Sequence, residues 1–235
     1  MRAIFETLFD IIYLISVITV GLIMMKKGKE YRQFYLFGIM AVVLGFGDAF
    51  HLVPRILALC SGNMEAFSMY LGLGKMITSL TMTIFYVLLY YVWCFRYEVK
   101  DHTKLDRIVY VLAFTRFLLC LMPQNQWLSN SSPLIWGIIR NIPFALLGLL
   151  VIVLFYNSAR KNSDKAFRWM WLTIVLSFGF YIPVVLWADT VPAIGFLMMP
   201  KTIAYVWTVL IGYNAMKKEI SRSTISLSIE SLIFV

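Results

Sequence analysis

The sequence predicts an all-α integral membrane protein: a seven-transmembrane-helix bundle with its N-terminus outside and its C-terminus in the cytoplasm. Three observations predict it. Hydrophobic residues make up 61% of the 235 and charged residues only 14%, with a mean hydropathy of +0.80, too little polarity to cover a water-facing surface. Apolar runs recur along the chain, and seven spans of about 20 residues with short loops use up its length. Lys and Arg gather in alternate loops, which orients the bundle.

The spans are expected near 5–25, 34–58, 67–95, 107–123, 133–156, 168–188 and 192–216, giving a seven-helix domain over 1–218 and a short cytoplasmic tail over 219–235. The first is read as a span rather than a cleaved leader, because Glu6 and Asp10 stand where a signal peptide is uncharged. Lys26, Lys27, Lys29 and Arg32 follow it. Arg96, Lys100, Lys104 and Arg107 flank the third loop, Arg160, Lys161, Lys165 and Arg168 the fifth, and Lys217, Lys218 and Arg222 follow the last span. The intervening stretches 124–132 and 188–191 hold neither Lys nor Arg. The net charge of +9 is therefore a fringe facing anionic lipid in a plasma or cytoplasmic membrane, and needs no nucleic acid to account for it.

Aromatics agree with these boundaries: Trp93, Tyr97, Trp127, Trp136, Trp169, Trp171, Trp187 and Tyr213 fall near span ends, where amphipathic rings sit at the headgroups. Ser221 to Val235 alternates Ser with Ile or Leu, then turns apolar, and is too short to cross. Cys60, Cys94 and Cys120 lack metal-ligand spacing and read as small packing residues, with a Cys60–Cys120 pair as the alternative. No metal site is expected. Asn130-Ser131-Ser132 matches a glycosylation acceptor.

The chemistry lies in the charges left once the fringe is set aside. Gly45-Phe46-Gly47-Asp48-Ala49-Phe50-His51-Leu52-Val53-Pro54-Arg55 places an acid, an imidazole and a guanidinium on one helical face, at steps of three and four residues. Pro54 deprives the Phe50 carbonyl of its helical donor, and Gly45 and Gly47 let a neighbouring helix come close. Lys75, Arg116, Arg140 and Lys201 lie within the third, fourth, fifth and seventh spans, in the same layer. Each such ion costs roughly 2.5–3.5 kcal/mol in a lipid-facing position. A shared, electropositive polar cavity open to the outside is the economical arrangement. Polar stripes support it: Ser68, Gly72, Lys75, Ser79 and Tyr86 on the third span, Thr173, Ser177 and Tyr181 on the sixth with Pro183 as a kink, and Lys201, Tyr205, Thr208 and Gly212 on the seventh. The alternative is pairing, Asp48 with Arg55, and Glu6, Asp10, Glu65 and Asp189 neutralising the remaining cations, with Lys75 and Arg140 snorkelling outward.

Spans one to three and five to seven run in the same directions. Lys75 and Lys201 are each followed two residues later by Ile, and Phe46-Gly47 with Pro54 parallels Phe178-Gly179 with Pro183. This suggests a 3+1+3 parallel repeat. Lys201, with Tyr181, Pro183, Val184, Val185 and Trp187 in the sixth span, resembles the microbial rhodopsins, whose retinal is held as a Schiff base on a seventh-span lysine. The chain departs from that family in having Leu197 in place of the acid one turn before the lysine, Lys75 and no carboxylate in the third span, and a different aromatic–proline spacing. The topology is also similar to the SWEET sugar carriers, which lack these deep cations. The chain is assigned to neither.

Three functions fit these residues. The first is a receptor or carrier that binds an anionic or amphiphilic small molecule or lipid, using Asp48, His51, Arg55, Lys75, Ser79, Arg116, Arg140, Tyr181, Lys201 and Tyr205. The second is a membrane-embedded lipid hydrolase with His51 as base, oriented by Asp48. The third is a chromophore protein with retinal on Lys201 and Asp48 as counterion.

Overall fold

A computed structural model describes residues 2–129, 133–188 and 190–233, with side chains between 4 and 223. The Asn130-Ser131-Ser132 motif and Asp189 lie outside the described residues. Seven α-helices and no strand occupy them: α1 (Arg2–Lys27), α2 (Arg32–Ser61), α3 (Ser68–Arg96), α4 (Thr103–Leu121), α5 (Leu134–Lys161), α6 (Met170–Trp187) and α7 (Met198–Ile233). Single 3₁₀ stretches at Glu65–Phe67, Pro123–Asn125 and Pro192–Leu197 lie in three of the connections. Six helices are long and apolar enough to cross a membrane, and the chain is an integral membrane protein.

The seventh, α4, carries Lys104, Asp106, Arg107 and Arg116 within 19 residues, more charge than a spanning helix tolerates by composition alone. It nonetheless packs between α3 and α5 and turns Ile108, Val111, Phe114 and Leu118 outward while burying Val109, Ala113, Arg116 and Cys120. Expected and observed helix limits agree within about four residues except at the C-terminus of α5 and at both ends of α7, whose expected first six residues form the 3₁₀ stretch Pro192–Leu197. α5 runs five residues past 156, ending on Arg160 and Lys161, cations that suit a helix C-terminus. α7 continues through 219 without a break, because no Gly or Pro follows Gly212 to stop it.

Close approach holds α2 on its neighbours. A side chain at Gly45 would collide with Ile18 of α1, and one at Gly47 with Thr81 of α3. Gly74 of α3 lies against the Phe50 carbonyl, where an added Cβ would stand 2.3 Å from the oxygen. The carbonyl that Pro54 deprives of a donor is thus covered by a glycine. Gly179 has open space around its Cβ direction, so the two Phe-Gly pairs occupy different packing environments. The buried centre is aromatic: Phe85, Tyr86, Phe144, Phe178 and Tyr205 meet edge to face or tilted, at centroid distances of 4.9 to 5.6 Å.

At the basic end a polar latch joins four elements. Arg96 of α3 donates to both carboxylate oxygens of Asp164, at 2.9 and 3.2 Å, and to Glu219 of α7. Gln33 of α2 also reaches Glu219, at 3.0 Å. Asp164 further accepts the Tyr97 hydroxyl and the backbone N–H groups of Ala166 and Phe167. Burial raises the Asp164 carboxyl, but the Arg96 guanidinium and these donors outweigh it and hold the group below the usual carboxylate range.

Two outcomes are expected. Gly74→Leu should destabilise the bundle by about 1–3 kcal/mol through overpacking against Phe50, read as a lowered melting temperature in detergent. Asp164→Asn should lower stability at pH 7 by about 2 kcal/mol. Because the folded-state pKa is depressed, that contribution is complete above the unfolded value of about 4 and disappears as pH falls through the folded value. The gap between variant and wild-type melting temperatures should therefore close under acid.

Candidate functional site

At the end of the bundle away from the latch, the connection after α4 builds one wall of the site. Helix C-termini leave carbonyls without donors, and Asn125 supplies them: its Nδ2 donates to the carbonyls of Leu119 at 2.6 Å and Met122 at 2.8 Å. The Trp127 indole N–H caps Cys120 at 2.8 Å. With its amide nitrogen committed to α4, Asn125 turns Oδ1 to Arg140 of α5, which donates from Nη1 at 2.8 Å and lies 4.3 Å from the Trp127 ring. Gly72 admits the Trp127 carbonyl against α3, where a Cβ would stand 1.6 Å away. Arg140 is therefore held by the loop at the cavity wall.

Arg116 is the deepest ion, 2% exposed, with its guanidinium carbon 3.4 Å from the Phe144 ring centroid. Its Nε and Nη1 have no hydrogen-bond partner among the described residues. Lys201, 7% exposed, points its ammonium at the rings of Tyr181 and Tyr205, 4.9 and 5.3 Å from their centroids. These groups, with Lys75, His51 and Ser79, line a cavity of about 240 Å³ whose apolar wall includes Phe144, Val184 and Val185. Among the described residues, no carboxylate lines it. Farther along the bundle the polar stripes meet: Thr208 donates to Thr173 at 2.8 Å, and the Tyr86 and Ser177 hydroxyls lie 3.4 Å apart.

A second cavity of about 370 Å³ adjoins the first, and His51, Lys75 and Lys201 line both. Among the described residues, its other charged groups are Glu6, Asp10, Asp48 and Arg55. Arg55 pairs with Glu6 at 3.0 Å, not with Asp48. Asp48 accepts the Tyr13 hydroxyl at 2.6 Å. Two carboxylates of α1 join Asp48 in this layer, because Glu6 and Asp10 are one turn apart on its inward face and both are buried. Glu65 stays exposed. The layer is divided, with arginines of α4 and α5 on one side, acids of α1 and α2 on the other, and two lysines between.

All ten sequence-derived site residues line one or both chambers: Ser79, Arg116, Arg140, Tyr181 and Tyr205 the first, Asp48 and Arg55 the second, His51, Lys75 and Lys201 both. No hydrogen bond joins Asp48 and His51 among the described residues. Tyr13 takes the carboxylate, and His51 Nδ1 lies 3.3 Å from the Leu71 carbonyl, so the two are not arranged as a base and its orienting acid. Nor does an ion pair join Lys201 to Asp48 among those residues, although they share a chamber. Cys60, Cys94 and Cys120 are free thiols. Among the described residues, no cluster of three or more His, Cys, Asp or Glu is placed to hold a metal ion.

Sequence reasoning missed Tyr13, Asn125, Trp127 and Phe144. Asn125 and Trp127 carried a signal, since polar and aromatic side chains just beyond a span end commonly cap it. Comparison of the chain with protein families, curated proteins and solved structures finds no match, so the side chains at this end of the bundle carry the functional reading by themselves.

Proposed function

We propose that this is a seven-span membrane protein that takes the anionic group of a small amphiphile or lipid into the cationic chamber, as a receptor or carrier. The chamber opens to the outside in this reading, and the basic loops and the latch face the cytoplasm. The observation that carries it is Arg116: a guanidinium almost fully removed from water, at a cavity wall, with two nitrogens unpartnered. Buried ions are normally paired and hydrogen-bonded, and a planar donor fork suits a carboxylate or phosphate.

Arg140, which lines the same chamber, supports the reading, because its hydrogen-bond partner Asn125 is a neutral amide that leaves the positive charge uncancelled. Lys201 adds a third cation, whose ammonium faces the Tyr181 and Tyr205 rings. Inside a low-dielectric wall these charges act on an anion far more strongly than they would in water. The apolar residues of the same wall receive the rest of the molecule.

The test uses purified protein in phosphatidylcholine nanodiscs with laurate as probe. Wild type should show a ligand-dependent rise in melting temperature. Arg116→Gln and Arg140→Gln should each weaken binding roughly 30- to 100-fold, the equivalent of about 2–3 kcal/mol for a lost charge-assisted pair. Arg116→Gln should not lower the melting temperature without ligand, since it removes an unpaired buried charge. An undiminished laurate response in both variants would overturn the proposal.

A further inference from the structure

A separate groove of about 150 Å³ runs between α5 and α6. It lies immediately beside the cationic chamber: Phe144, Tyr181 and Val185 line both. Ile138, Ile142, Ala145 and Ile182 form much of the rest, and no charged residue lines it among the described residues. Ile138, Ile142 and Ile182 are 37 to 53% exposed on the outer surface of the bundle, the surface the bilayer covers. The polar groups within the groove already have partners. Asn141 donates to the Gly137 carbonyl at 2.8 Å and accepts the Tyr181 hydroxyl at 3.2 Å. What remains is a hydrocarbon-lined slot with nothing for water or a polar ligand to bond.

Its shape follows from small residues on α5. At Gly148 the Phe178 ring presses onto the helix so closely that a Cβ would stand 2.1 Å from it, and the helix pair is shut. One turn earlier Ala145 leaves α5 thin with no ring to fill the space. Phe144 is the partition. Its ring has the Arg116 guanidinium over one face, and it lines the groove as well as the chamber. A molecule straddling Phe144 places its charge against Arg116 and an apolar chain along α5 and α6.

We infer that the groove holds the acyl chain of the ligand whose headgroup enters the cationic chamber, and that this ligand is a single-chain fatty carboxylate arriving sideways from the bilayer. The inference rests on the headgroup reading above. It commits to one chain because the slot is small, about 150 Å³, and to a membrane source because its exposed side is apolar and lipid-facing. Because the chain leaves a bilayer as apolar as the groove, close packing between the helices and the position beside Arg116 select the slot, not transfer out of water.

Butyrate and palmitate, the second carrying a mid-chain diazirine, serve as probes on the full chain in phosphatidylcholine nanodiscs. Photolysis should label Ile138, Ile142, Ile182 or Leu186, read by mass spectrometry. Ala145→Trp, which fills the slot without lining the cationic chamber, should weaken palmitate at least tenfold and leave butyrate affinity unchanged. Label spread over lipid-facing residues of other helices, or palmitate affinity unmoved in Ala145→Trp, would overturn the chain slot while butyrate binding keeps the headgroup reading intact. Failure of both carboxylates to bind would overturn the headgroup reading and the slot with it. Should Ala145→Trp not fold, the wild-type label map decides the matter alone.

Discussion

The constraint on which this bundle turns is the burial of the Arg116 guanidinium. An ion at that depth must be given a substitute for water, and the protein provides an incomplete one: the face of Phe144, with Nε and Nη1 left open. Phe144 is fixed in turn by edge contacts with Tyr86, Phe178 and Tyr181, so the position of the charge is set by the aromatic centre of the fold. The neighbouring cations follow the same logic. Arg140 has an amide and an indole, and Lys201 has two phenol rings. Each is accommodated by groups that stabilise positive charge without neutralising it.

Separation of charge is the second organising feature. Acids of α1 and α2 are occupied by hydroxyl and guanidinium partners, Asp48 by Tyr13 and Glu6 by Arg55, on the far side of Lys75 and Lys201 from Arg116 and Arg140. Had Glu6 and Asp10 stood on α5, the same composition would have yielded ordinary ion pairs. The topology keeps them apart, since α1 packs on α2 and α7 while α4 lies between α3 and α5.

Class, helix order and most helix limits were legible in the sequence because membrane burial demands long apolar runs and marks their ends with cations and aromatics. The charged layer was legible for the same reason: in a 61% hydrophobic chain an internal Lys or Arg stands out. Partner choice was not. Asp48 and Arg55 are seven residues apart on one helix face, and nothing local reveals that Glu6 competes for Arg55 or that Tyr13 reaches Asp48. The loop before α5 was equally opaque, for the placement of Arg140 depends on Asn125 having its amide nitrogen occupied by α4. The extent of α7 was obscured by its Ser-rich composition, which weakens the span signal without breaking the helix.

One element belongs to both ends of the molecule. α7 passes without interruption from Lys201, in the wall between the chambers, to Glu219, in the latch with Arg96 and Gln33. The 18 helical steps between them include no proline and make a rod about 27 Å long at the α-helical rise. A stiff rod of that kind cannot be displaced at one end alone. Any axial slip or rotation that an occupant imposes at the lysine is transmitted to the carboxylate on the opposite face, where a salt-bridged clasp either yields or resists.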